Sequence, residues 1–109
     1  MKKIILTSAT ALLFSCFNVF AEPHLVEAIK HATAASQADD KDKILEHARP
    51  ALEEATAAAL IVRGVPLAHA NEGVKALEDA IAKAKSKKTD EAKKLASSAV
   101  GHLTAANKK

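Results

Sequence analysis

Between Leu25 and Ala106 the apolar residues of this chain recur at spacings of three and four, and most of them are alanine. Leu25, Ile29, Ala32 and Ser36 are spaced 4-3-4, and Leu45, Ala48, Leu52, Ala55, Ala59 and Val62 run 3-4-3-4-3. Leu67, Ala70, Val74, Leu77, Ile81 and Ala84 repeat that alternation, and Ala92, Ala96, Ala99, Leu103 and Ala106 approximate it. Such spacing keeps one stripe of a helix apolar, so the pattern predicts four bundle-type helices whose small seam residues allow close approach.

The residues between the stripes agree. Pro23 suits a first helical turn, Gln37 to Asp40 makes a polar break, Gly64-Val65-Pro66 separates the middle helices, and Ser86 to Thr89 ends the third among basic residues. Asp90 and Glu91 open the fourth, where the helix dipole favours negative charge, while Pro50 falls inside the second and is expected to kink it. The chain also matches itself without gaps at an offset of 48, aligning Val26–Ala58 with Val74–Ala106, and seam residues pair with seam residues, as in Ile29/Leu77 and Ala55/Leu103. The expected fold is all-α: an up-and-down antiparallel four-helix bundle built from a duplicated helical hairpin.

The first 21 residues read differently. Lys2 and Lys3 precede an apolar run from Ile4 to Phe20, and Val19-Phe20-Ala21 offers small residues at −3 and −1 of a cleavage site, so residues 1–21 are expected to be a signal peptide and 22–109 the bundle domain. An alternative processing site, Leu13-Phe14-Ser15-Cys16, would anchor the chain by a lipid on Cys16, but bulky Phe14 fits it poorly. The run is too short for stable membrane insertion after cleavage, and the expected location is periplasmic.

All three Phe, the only Cys and the only Met lie in this leader, so residues 22–109 contain no aromatic, no thiol and no thioether. Of 16 Lys and Arg, Lys2 and Lys3 are also in the leader, which leaves 14 against 13 Asp and Glu and a net charge of +1. Without a basic excess or an aromatic platform, nucleic acid is not an expected partner. Without cysteine, neither a disulfide nor a thiolate metal site is available.

The side chains with chemistry are the histidines: His24, His31, His47, His69 and His102 each stand one residue before a seam position, on the helix flank. Because the same flank points opposite ways in antiparallel neighbours, these residues converge in alternate grooves. Either helix 1 pairs with 2 and helix 3 with 4, or 2 pairs with 3 and 4 with 1. With the first loop centred near residue 40, His31 and His47 differ in height by roughly 3 Å, whereas His69 and His102 differ by roughly 7 Å. On the first helix His24, Glu27 and His31 follow i, i+3, i+7 and form one stripe. Imidazole with carboxylate suits Cu²⁺, Zn²⁺ or Ni²⁺, and the lack of thiolate argues against Cu⁺.

More specific motifs fail. Glu22-Pro23-His24 would resemble an amino-terminal copper site, but Pro23 lacks the amide hydrogen that site must lose. No histidine has Glu at i−3, as carboxylate-bridged di-iron bundles require, and neither a Met haem ligand, Cys-x-x-Cys-His nor His-Glu-x-x-His occurs. Ser97 and Ser98 lack an orienting acid or oxyanion donors, so no enzyme is expected. The basic run Lys83 to Lys88 reads as a solvated helix terminus.

Val26-Glu27-Ala28-Ile29-Lys30-His31-Ala32, Ile44-Leu45-Glu46-His47-Ala48-Arg49 and Gly73-Val74-Lys75-Ala76-Leu77-Glu78-Asp79-Ala80 resemble the small metal-binding protein family, exported histidine-rich four-helix bundles that bind copper and other divalent metals. The resemblance implies that His31, His47, His69 and His102 stand at the family's histidine positions. It also marks departures: Glu53 and Glu54 occupy the stretch where the second helix usually has another histidine, and Ala76 and Lys83 stand at histidine positions of the third. The chain is therefore expected to be a histidine-depleted member that binds or buffers divalent transition metal, chiefly Cu²⁺, with capacity concentrated at His31 and His47 and carboxylate help from Glu27 and Glu54. The alternative is a structural or protein-interaction bundle that has lost its metal ligands.

Overall fold

A computed structural model of the chain describes residues 21–108; residues 1–20, on which the expected signal peptide and the alternative lipid site at Cys16 rest, lie outside the described residues. Four helices follow one another: α1 (Ala21–Gln37), α2 (Lys41–Ala59), α3 (Val65–Lys85) and α4 (Thr89–Asn107). Each packs on the next, and α4 returns to α1, which closes an antiparallel ring, with a lesser diagonal contact between α2 and α4. This is the expected all-α bundle. Among the described residues no helix is long and apolar enough to cross a membrane.

Local chemistry sets the boundaries. Pro23 sits in the first turn of α1, where a missing N–H costs no intrahelical bond. Asp40 caps α2, its Oδ1 accepting from the Lys43 backbone N–H at 2.8 Å. Gly64, with φ of 69°, turns the chain into α3, and Pro66 fills the first turn there. At the far end of α3 the Lys88 N–H reaches the Lys83 carbonyl and the Lys87 N–H reaches the Ala84 carbonyl, which closes the helix with Lys87 in the left-handed conformation usually left to glycine. Pro50 lies within α2, which remains one continuous helix through it.

The innermost face is smaller than the sequence pattern suggests. Ala92, Ala96, Ala99, Leu103 and Ala106 are all buried as expected. In the other three helices the buried line shifts toward alanine: Ala28 and Ala35 in α1, Ile44, Ala51 and Ala58 in α2, and Gly73, Ala76 and Ala80 in α3. Ile29, Leu52, Val62, Val74 and Ile81 are only partly buried and pack against the core from its edges. Closely approaching helices leave room at the centre for methyl groups, and branched side chains move to the flanks, where their surface is still covered. Each helix contributes one large, fully enclosed side chain: Leu25, Ile44, Leu77 and Leu103.

Leu103 fits only because its neighbour is glycine. A Cβ built on Gly73 would lie 2.7 Å from Leu103 Cδ2 and 2.8 Å from its Cγ, inside van der Waals contact. Gly101, in contrast, faces open space. Gly73→Ala is therefore expected to lower stability by about 1 kcal/mol, overpacking outweighing the gain in helix propensity. Gly101→Ala should raise it by about 0.5–1 kcal/mol. Thermal unfolding followed by circular dichroism checks both, with shifts of opposite sign of roughly 4–8 °C per kcal/mol.

Candidate metal centre

The histidines stand where a one-residue offset from the buried line puts them: His24, His31, His47, His69 and His102 precede Leu25, Ala32, Ala48, Ala70 and Leu103, all five buried, and are themselves half-buried on the helix flanks. The flank of α1 faces α2, because His24 Nδ1 meets Glu54 Oε1 at 2.6 Å across that groove. The flank of α4 faces α3, because His102 Nδ1 lies 3.2 Å from Glu72 Oε1. Of the two groove arrangements compatible with the sequence, these contacts belong to the one that pairs helix 1 with 2 and helix 3 with 4.

The two contacts also fix the register of each hairpin. In antiparallel helices of equal rise, residues equally displaced toward the loop from a contacting pair face each other. Seven residues from His24 toward the first loop is His31, and seven from Glu54 is His47, so these two histidines share one height, about 10 Å below the His24–Glu54 contact. This replaces the mismatch of roughly 3 Å inferred from a loop centred at residue 40; the centre is nearer 39. Glu27 lies one turn from His31 on α1, its Oε1 3.7 Å from His31 Nε2. In the second hairpin the same displacement puts Asp79 opposite Leu95, and His69 lies three residues above Glu72, roughly 4.5 Å from the height of His102 rather than 7 Å. His47 and His69 take part in no hydrogen bond or ion pair among the described residues.

Shifted by 48, His24 becomes Glu72 and Glu54 becomes His102. The two cross-groove contacts thus occupy corresponding positions with imidazole and carboxylate exchanged. The residues beneath them follow: Leu25 and Ala55 correspond to Gly73 and Leu103, so a His-Leu step crosses a Glu-small step in both hairpins, on opposite helices. The groove between α3 and α4 is lined by Glu72, Lys75, Ala76, Asp79, Leu95 and His102. Their counterparts between α1 and α2 are His24, Glu27, Ala28, His31, His47 and Glu54. Glu72 was not singled out from the sequence, although that offset, applied to the histidine positions, points directly to it.

The donor chemistry fits a borderline divalent ion: neutral imidazole nitrogen and carboxylate oxygen, without thiolate. The geometry is open. Among the described residues no three His, Cys, Asp or Glu donors converge on one point, so an ion would be held by few protein ligands and completed by water or by side-chain rotation. The 2.6 Å His24–Glu54 contact is a charge-assisted hydrogen bond, with the imidazole donating to the carboxylate. A neutral ring that donates from Nδ1 has its lone pair on Nε2, the tautomer in which a carboxylate supports a metal-binding histidine. Lys83, which stands at a histidine position of the family's third helix, is paired with Glu91 at 3.3 Å near the loop end of α3, away from these contacts.

These pairs are poor stability devices. His24 and Glu54 are 34% and 35% exposed, and Glu72 is 63% exposed, so solvent screens both contacts. Double-mutant cycles on His24/Glu54 and on Glu72/His102, measured by urea unfolding, are expected to return coupling energies below about 1 kcal/mol.

Comparison with curated proteins and comparison with solved structures gave no match. The family model described as small metal-binding protein matches residues 1–106, a span that reaches into the last turn of α4. The half-buried histidines lining grooves of a four-helix bundle accord with that match: the chain belongs to the small metal-binding protein family.

Proposed function

We propose that this protein binds divalent transition metal in the groove between α1 and α2 and acts as a periplasmic buffer or carrier for it. The observation that carries the reading is the His24–Glu54 contact, because the register it sets brings His31 and His47 to one height with Glu27 a turn away. Two imidazoles facing across a groove, assisted by a carboxylate, form a ligand set of borderline softness. Cu²⁺ is the preferred ion by the general order of divalent affinities, followed by Ni²⁺ and Zn²⁺. His24, held by Glu54, provides a further imidazole at the mouth of the same groove.

A site of micromolar strength requires about 8 kcal/mol. Two imidazoles and a carboxylate with water in the remaining positions suit that range, which allows exchange with stronger acceptors. Such reversible loading fits a buffer better than a structural metal.

Calorimetric titration of residues 21–109, which hold all four helices, with Cu²⁺ and Zn²⁺ in a weakly chelating buffer tests the proposal. Saturable binding is expected, weakened at least tenfold by H31A/H47A and less by E54A. Heats no greater than those of a variant lacking all five histidines would overturn it in favour of a bundle that serves a protein partner without metal.

A further inference from the structure

The connection between α2 and α3 is unlike the other two. From Ala59 to Leu67 it reads Ala-Leu-Ile-Val-Arg-Gly-Val-Pro-Leu, with Arg63 its only charge. Val62 packs against the core, but Leu60 and Val65 are 84% and 70% exposed, the most exposed large aliphatic side chains among the described residues. At the opposite end residues 38–40 and 86–88 hold Asp39, Asp40, Lys87 and Lys88, and no large aliphatic side chain is exposed there among the described residues. The bundle therefore has one apolar end and one charged end. Packing does not require this, because Leu60 and Val65 bury little of their surface in the fold. Exposed apolar surface rimmed by polar groups marks a contact with a partner or a membrane.

Chain direction, charge and backbone chemistry point to the same occupant. Ala21 lines a hollow at this end with Val62, Arg63, Pro66 and Lys108, so residues 1–20, with the apolar run from Ile4 to Phe20, join the bundle here. A leader seated in a bilayer during export would hold the apolar end, and not the charged one, toward the lipid surface. Arg63 and Lys108 stand beside the hollow against one carboxylate side chain, Glu22, a balance that favours anionic headgroups. The Leu60 N–H donates to the Thr56 and Ala57 carbonyls at 3.3 and 3.2 Å, and the Ile61 and Val62 N–H groups donate to the Ala58 carbonyl at 2.9 and 3.0 Å. Backbone groups already paired in this way enter an apolar phase without giving up a water partner. A second copy of the chain fits less well. An isologous end-to-end contact would face Arg63 with Arg63 and cover far less than the roughly 800 Å² per partner of a stable interface.

We infer that the α2–α3 end is a peripheral membrane contact, with Leu60 and Val65 entering the headgroup–acyl boundary of an anionic bilayer and Arg63 meeting the lipid phosphates. Two aliphatic side chains and a guanidinium make a weak, reversible contact, short of what a single acyl chain provides. It keeps the protein at the membrane surface without anchoring it, and it stands the bundle upright with the Lys83 to Lys88 end away from the lipid. This contact does not depend on bound metal.

Flotation of residues 21–109 with millimolar phosphatidylcholine vesicles, with and without phosphatidylglycerol and with EDTA throughout, tests it apart from any metal site. The protein should float with the anionic vesicles. L60S/V65S, whose fold circular dichroism checks, should lower partitioning about tenfold or more. R63Q should lower it about fivefold on anionic vesicles and little on neutral ones. Residues 22–109 lack cysteine, so a nitroxide on L60C or on K87C reports one end alone. The first label should be shielded from a water-soluble chromium relaxant when vesicles are added, and the second should not. Absence of flotation with anionic vesicles, flotation unchanged in L60S/V65S, or shielding of the K87C label in place of the L60C label would overturn the inference. So would a concentration-dependent dimer that L60S/V65S abolishes without any vesicle binding, which would assign this end to a second copy.

Discussion

The bundle depends on how closely its helices approach, and that is set by residues with almost no side chain. Where Leu103 of α4 meets α3, the position beneath it is Gly73, and a single added methyl would collide with two of its carbon atoms. In the first hairpin Leu25 and Ala55 stand at the corresponding positions and share the same buried cluster. Both crossings pair a large side chain with a small one. One residue before each crossing, on the flank, stand histidine and glutamate, whose side chains meet at 2.6 and 3.2 Å where the helices pack closely. The polar contacts are thus a consequence of the apolar packing beneath them.

Much of this was legible in the sequence, and the reason lies in periodicity. Helix number, order and boundaries follow from apolar spacing and from punctuation such as Asp40, Gly64 and Pro66, all of which act locally. The innermost line was harder to read. Ile29, Leu52 and Val74 look like core residues by hydrophobicity but are displaced to the edges by alanines, because hydrophobicity scales report transfer free energy and not the room between two backbones. The same limit applied to the candidate site. Histidine placement on one flank was evident, but which groove the flank faced depended on the handedness of the ring, a tertiary property. Glu72 stayed hidden because attention to histidine spacing passes over a carboxylate that takes the place of one.

The exchange of histidine and glutamate between the two hairpins carries a chemical consequence. An imidazole held by a hydrogen bond to a carboxylate is oriented, whereas the His102–Glu72 contact, at 3.2 Å, is the longer and more exposed of the two. The two grooves therefore differ in their crossing pairs, as well as in the residues below them, where His31 and His47 stand at the positions taken by Asp79 and Leu95 in the other.

One property of the chain makes this unusually open to direct observation. Residues 22–109 contain no Phe, Tyr or Trp, so the aromatic region of a proton NMR spectrum holds only the five histidine rings. The most direct test of the α1–α2 groove as the principal metal site is titration with substoichiometric Cu²⁺, whose unpaired electron broadens nearby ring protons, with each ring assigned by single substitution. The account predicts that His31 and His47 broaden first, followed by His24, while His69 and His102 stay sharp until the first site fills. Equal broadening of all five rings, or loss of His69 and His102 first, would contradict it.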